Sequence, residues 1–358
     1  MIPHQYIERE TLDIRTERLY RDRVVGFCYS RIREHAPSVF KALTGRRLSG
    51  LLGFLNYGVF MGGRLSGPLR FAHKAGINLA ECYGPPDALT TPKSVFERKI
   101  RYWECRPMPD NPEHVLSPAD ARMIPGSFCS TDALFVKDKF FEYERVFGTG
   151  KEQWADSFRA GDFAIFRLTP DKYHYNHSPV SGLVRDIYEV DGAYHSCNPT
   201  AVITIMTPYS LNKRVVTIID TDVPGGTGVG LVAMIEVAAL MIGDIVQCYS
   251  EERYDDPRDI LPGMFLRRGS PKSLYRPGSS TDVLIFQKGR TEFAGDIVFN
   301  LGDKRVENRF RGWFGDSLVE TEVKVRSCIA ARKRMPAGSK APNEIFFEHS
   351  NGLNTKTL

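Results

Sequence analysis

No two of the seven cysteines (Cys28, Cys82, Cys105, Cys129, Cys197, Cys248 and Cys328) form a C-x-x-C pair. Their odd number and wide spacing speak against a disulfide framework and give no zinc or redox signature, so a reducing compartment is the simplest reading. An excess of one charge is missing too. Lys plus Arg number 48 against 43 Asp plus Glu, a net +5 that calls for no nucleic-acid partner but suits an anionic substrate or membrane surface. No clear apolar run has the roughly 20 residues that a spanning helix needs. The N-terminus, MIPHQYIERETLDIRTERLY, has no apolar stretch of a signal peptide and is too acidic for a transit peptide. The rest of the composition is ordinary. With 42% hydrophobic and 25% charged residues, the 358-residue chain can bury a core and is neither disordered nor a coiled coil.

Texture divides the chain. Residues 1–95 alternate charged and apolar segments and read as helical. Within them LSGLLGFLNYGVFMGG, positions 48–63, is uncharged and flanked by Arg46, Arg47 and Arg64. It reads as an interfacial helix anchored by those arginines or as a buried core helix. FERKIRYWECRP reads as a basic-aromatic helix, broken by Pro107, Pro109 and Pro112; SPADARMI and the strand-like ALFVKDKFF follow. From about 160 to 330, runs such as FAIFRL, AVITIM, RVVTIID, LVAMIEV and DVLIF recur between Gly, Pro, Asn and Asp, which predicts a sandwich- or barrel-like β-body. The expected class is α+β: a helical, membrane-associating region over 1–95, a β-rich body over 96–335 and a loose tail over 336–358.

Four constellations could carry chemistry. RVVTIID-TDVPGGTGVG-LVAMIEV has strand, glycine turn and strand, but Gly226, Gly228 and Gly230 give G-x-G-x-G and no Walker Lys-Ser/Thr pair follows. A glycine-rich hairpin is the better reading. In LTPDKYHYNHSPVSG, His174 and His177 lie on a proline-bounded segment suited to proton transfer, with no metal partner in sight. In SPADARM, Asp120 is an ordinary turn acid unless it serves a histidine. In RPGSSTDVLIF, Gly278-Ser279 precedes an apolar strand. It reads as a turn or, more sharply, as a self-cleavage site, because glycine admits close approach and strain.

These pieces in this order resemble the phosphatidylserine decarboxylase family of pyruvoyl enzymes, from about residue 45 to about 290. The resemblance rests on Phe96, Arg98, Arg106 and Pro107; on Ser117 to Asp120; on Asp171, Tyr173, His174, His177, Pro179 and Gly182; on Tyr194, Asn198 and Pro199; on Asn212 to Val216; on a hairpin-like Val237 to Ile245; and on the closing Gly-Ser-Ser. It implies cleavage between Gly278 and Ser279, with Ser279 becoming a covalent pyruvoyl group and neither metal nor pyridoxal required. His177 would be the base for processing, oriented by Asp120, and His174 would protonate the decarboxylated intermediate. The substrate amine would be held as a Schiff base.

Two chains, 1–278 and 279 onward, would stay intertwined without a covalent link, with a family tendency to homodimers. The implied reaction converts phosphatidylserine to phosphatidylethanolamine, peripherally on the cytoplasmic side of a membrane. A free amino acid as substrate, or a non-enzymatic lipid-binding β-protein, are the rival readings. Between Phe265 and Gly278 the chain is longer than the family pattern, and Arg267, Arg268, Lys272 and Arg276, with Tyr175, are candidates for substrate binding. Gly269-Ser270 there is set aside as a cleavage site, since Pro271 follows and no apolar strand does. Ser280 is the alternative to Ser279.

Overall fold

Runs such as FAIFRL and VLIF are apolar at successive positions because the sheet they build is covered on both faces. The computed structural model describes residues 3–19, 27–45, 72–73, 76–128, 143–196, 198–204, 208–239, 244–277, 280–310 and 318–334. The strands are β1 (Gln5–Glu8), β2 (Ile14–Thr16), β3 (His114–Leu116), β4 (Ala121–Ser127), β5 (Asp162–Leu168), β6 (Tyr175–His177), β7 (Gly182–Val190), β8 (Arg214–Asp220), β9 (Leu231–Ala238), β10 (Ile245–Gln247), β11 (Phe265–Leu266), β12 (Pro271–Tyr275), β13 (Ser280–Phe286), β14 (Thr291–Phe293), β15 (Glu320–Val323) and β16 (Cys328–Arg332). Ten form one sheet in the order β11-β7-β8-β9-β13-β5-β4-β15-β1-β2; β10-β12-β6 and β14-β16-β3 form two small sheets.

β13 sits between β9 and β5, antiparallel to both. Its Leu284 and Phe286 enter a core with Tyr275 of β12, Val115 of β3 and Ala330 of β16. Its Val283 and Ile285 enter the opposite core with Val146, Phe147, Phe158 and Phe310. The β-dominated body is therefore as expected. The glycine segment at 224–230 joins the antiparallel pair β8 and β9, and Gly225, Gly228 and Gly230 there take positive φ. It is a hairpin and not a phosphate loop.

The helical N-terminal region is a correction. The chain opens with two strands, and β1 pairs in parallel with β15 from the far end of the sequence. Among the described residues only short helices follow, such as Pro37–Leu43 and Pro92–Phe96. A strand of four residues stabilised by a partner over 300 positions away leaves no local periodicity to read. The basic-aromatic helix is likewise two pieces, Pro92–Phe96 and Tyr102–Cys105, with Ile100 in a bridge to Cys82 between them. β9 and β10, expected as one hairpin, lie in different sheets. The segments 48–63 and 133–141 and the tail 336–358 lie outside the described residues.

Candidate active site

One pairing assembles the site. β6 runs antiparallel to β12, with His177 opposite Pro271 and Tyr175 opposite Leu274. The Tyr275 amide donates to the His174 carbonyl at 3.1 Å. The histidine segment is thus laid along the strand that leads, within three residues, to Gly278. Gly278 and Ser279 lie outside the described residues; Ser280, the next residue, opens β13. Ser280 is fully buried, and its Oγ has no hydrogen-bond partner among the described residues.

His177 is fully buried and held at both nitrogens. Nδ1 lies 2.8 Å from the Gly269 carbonyl and Nε2 lies 3.0 Å from the Tyr173 hydroxyl. A carbonyl can only accept, so Nδ1 carries the proton and Nε2 is the basic nitrogen. Gly269 presents that carbonyl at φ +76°, and a Cβ there would come within 2.6 Å of Met108 Sδ. Burial pushes His177 down to about 3, helped by Arg326 and Arg106, while the Gly269 contact and Asp120 oppose the shift. His177 is a neutral imidazole at physiological pH.

His174 is also fully buried, stacked on Phe96 with ring centroids 3.5 Å apart. Neither ring nitrogen has a hydrogen-bond partner of good geometry among the described residues. Burial, reinforced by Arg98, pushes its pKa to about 3 against weaker support from Asp171 and the Lys172 backbone. A buried imidazole with free nitrogens is costly unless something uses it.

Among the described residues no hydrogen bond joins Asp120 to His177. Its oxygens take Arg106 Nε at 3.0 Å, Arg106 Nη2 at 2.7 Å and the Val325 amide at 2.8 Å. A fork-shaped guanidinium outcompetes a neutral ring for a buried carboxylate. Burial would lift the Asp120 carboxyl, but Arg106 overrides it and holds the group below the usual range. What passes from this segment to the histidine is backbone support: the His177 amide donates to the Pro118 carbonyl at 2.8 Å.

The remaining candidates separate. Lys272 is fully buried, donating to Glu236 at 2.7 Å and Gln247 at 2.9 Å. Tyr175 packs in an aromatic cluster with Tyr173 and Tyr254. Arg268 caps the carbonyls of Pro109 and Asp110, and Arg276 pairs with Glu97. Arg267 is exposed beside Glu251. The basic insertion is not a solvated loop, because its residues 271–275 are the buried strand β12. A strand does follow Gly269-Ser270, though not an apolar one; its lysine and serine are buried by partners that the pattern could not announce.

Sequence reasoning missed the roles of three motif residues. Phe96 stacks on His174, Arg106 holds Asp120, and Arg98 donates to the Asp171 carbonyl at 2.8 Å. Their presence in one motif was the available signal. It also missed His4, Glu17 and Glu320, whose ligand atoms lie within 4.8 Å of one another as a metal site would require. Arg167 occupies that cluster, donating to both glutamates.

A family model described as phosphatidylserine decarboxylase matches residues 93–304, from Lys93 before the Phe96–Arg106 motif to beyond β13. The chain belongs to the phosphatidylserine decarboxylase family. A phosphatidylserine decarboxylase proenzyme of Fusobacterium nucleatum is 27% identical over 316 residues, 85% of this chain and 94% of the relative. One of Ruminiclostridium cellulolyticum is 30% identical over 228 residues, 64% of this chain and 70% of that protein. Phosphatidylserine decarboxylase proenzyme 3 of Schizosaccharomyces pombe is 30% identical over 227 residues, 63% of this chain and only 22% of the much longer relative. In this decarboxylase family member, both histidines and the Asp120 segment fall inside the matched region.

Proposed function

We propose that the chain is a self-processing phosphatidylserine decarboxylase that makes its own pyruvoyl group at the Gly278-Ser279-Ser280 turn. The observation that carries this reading is the β6–β12 pairing, which lays the His174 backbone against Tyr275, three residues before Gly278. Orphaned buried polar atoms fit such a group: both ring nitrogens of His174, just before β6, and Ser280 Oγ, Thr281 Oγ1 and Asp282 Oδ2 at the start of β13. In processing, a serine Oγ attacks the carbonyl of the residue before it, and its proton passes to a base. The C–N bond breaks, the nitrogen takes a proton, and an ester replaces the amide. Elimination then leaves a carboxylate end on the large chain, and hydrolysis of the dehydroalanine releases ammonia. His177 is the base in this reading, through the Nε2 nitrogen that Tyr173 holds. The finished group supplies the electron sink for decarboxylation, and His174, neutral and buried, handles the proton at the product carbon.

The residue attacked has two candidates. Ser279 follows glycine, the permissive residue. Ser280 is favoured by its buried and unpartnered Oγ at the head of β13. With either one, β13 remains between β5 and β9, with seven register partners on each side. The small chain would also keep β15 on β1 and β4, and β16 on β3. That is why the cut halves should stay together.

The substrate reading extends to a membrane surface. Among the described residues no helix is long and apolar enough to cross a membrane. Phe27 and Val39 are exposed at 58% and 52%, near Arg31 and Lys41, on the short helices that precede the uncharged 48–63 segment. Such a basic and apolar face suits an anionic bilayer. The decisive experiment is intact mass under denaturing conditions, with Ser279→Ala and Ser280→Ala beside the natural chain. Two fragments that only one substitution abolishes identify the nucleophile, since the fragment masses for the two cuts differ by one serine. Carbon dioxide release from phosphatidylserine vesicles, and none from free serine, is the expected substrate result. Release from free serine alone would overturn the lipid assignment.

A further inference from the structure

Tyr275 and Asp282 meet across the junction, three residues before Gly278 and three after Ser279. Both are fully buried. The Tyr275 hydroxyl lies 3.0 Å from the Thr281 carbonyl and 2.7 Å from Asp282 Oδ1. We propose that Tyr275 and Asp282 form a clamp that holds the two sides of the junction together for cleavage and afterwards ties the end of the large chain to the start of the small one. The clamp rests on the self-processing reading above.

The Tyr275 hydroxyl is the donor: its one hydrogen goes to Asp282 Oδ1, the nearer acceptor, and the Thr281 carbonyl is the longer second contact. The surroundings of Asp282 hold it in place for that contact. Glu236 of β9 is the register partner of Asp282 on one side, and the apolar Phe166 of β5 is its partner on the other. From the small sheet, Lys272 gives its hydrogen bonds to Glu236 and Gln247, and Asn176 and Ser273 also donate to Glu236. The local cation is thus spent on Glu236, leaving Asp282 as the uncompensated acid. Burial first, then Glu236, raises the Asp282 pKa well above the ordinary value. The junction is flanked on both sides by residues that these side-chain bonds tie together. Such closure limits how far the attacking oxygen and the target carbonyl can separate.

The test follows conversion of newly synthesised full-length chain into two fragments by intact mass, between pH 6 and 8. Tyr275→Phe should slow conversion by roughly tenfold or more, the scale of losing a buried hydrogen bond at a reacting junction. Asp282→Val should be similarly slow. Asp282→Asn, whose amide oxygen can accept from Tyr275 as the carboxyl oxygen does, should stay within about twofold of the natural rate. A merely structural role for Asp282 would not be rescued by an amide and lost with an isosteric apolar group of equal fold stability. Wild-type rates in Tyr275→Phe, or equal failure of Asp282→Asn and Asp282→Val, would overturn the clamp. Should Tyr275→Phe fail to fold, the Asp282 pair still decides. A Ser279→Ala/Ser280→Ala double variant serves as the separate control. If it is cleaved, or if the natural chain never is, the self-processing reading has failed, and the clamp with it. If both behave and only the clamp variants convert normally, the clamp alone has failed.

Discussion

Two buried charge clusters in this molecule have opposite balance. Around Arg167, two cations meet two anions: Arg167 and Arg122 face Glu17 and Glu320, and His4 lies 2.8 Å from Glu320. Around Lys272, one cation meets two acids, Glu236 and Asp282. In the first cluster burial would raise the Glu17 and Glu320 carboxyls, but Arg167 overrides it and both sit below the ordinary value. In the second the same burial prevails at Asp282, which is pushed up. The first cluster staples the N-terminal segment to β5, β4 and β15, and its Arg167 is the register partner of Thr281. The second lies against the residues that would be cut. One fold thus compensates buried acids fully in one cluster and leaves an acid less compensated in another.

The largest effect that would break this contrast is at Arg167. Arg167→Met strands Glu17 and Glu320 in the interior and should cost about 3–5 kcal/mol, read as a large drop in the denaturant midpoint at pH 7. Asp282→Val exchanges an uncharged buried group for an apolar one and should change stability by only about 1 kcal/mol, although processing slows. Equal losses from the two substitutions would erase the distinction.

Next in size is the acid response. His174 and His177 are neutral when folded, with values of about 3, whereas the unfolded chain takes up their protons near the ordinary value of 6.5. Below that ordinary value the unfolded state binds more protons, so stability falls as pH drops. Each histidine should remove about 2 kcal/mol between pH 7 and pH 5. His177→Gln should remove its own share of about 2 kcal/mol from that difference in urea titrations at the two values, and an unchanged slope would contradict its buried neutral state. Asp282 acts with the opposite sign. Its proton is bound in the folded state, so its contribution is present at low pH and is lost as pH rises toward its raised value.

The smallest and sharpest change is at Gly269. A side chain there meets positive φ and Met108, and it shifts the carbonyl that holds His177 Nδ1. Gly269→Ala should slow processing several-fold while costing about 1–2 kcal/mol. Processing at the natural rate would show that His177 needs no such holder.

Much of this was readable in the residues. VLIF, FAIFRL and RVVTIID are β-branched and apolar at successive positions, so they could only be strands buried on two faces. The Gly-Gly-Thr-Gly run could only turn. His174, His177, Asp120 and the Gly-Ser-Ser turn stood out as chemistry-bearing types in a family order, and family membership is confirmed by the match over 93–304. What the residues could not disclose was partnership over distance. QYIE carries no sign that its strand partner is ETEV, more than 300 residues on. PKSLY looks like a solvated loop until Glu236 and Gln247 are brought to Lys272. Asp120 looks like a histidine's partner until Arg106 takes it. Local pattern follows from the side chains' own size, branching and polarity, and the sequence determined it. Which charge meets which, and which acid is left with its proton, depends on distance and on loss of water, and only the tertiary structure decided those.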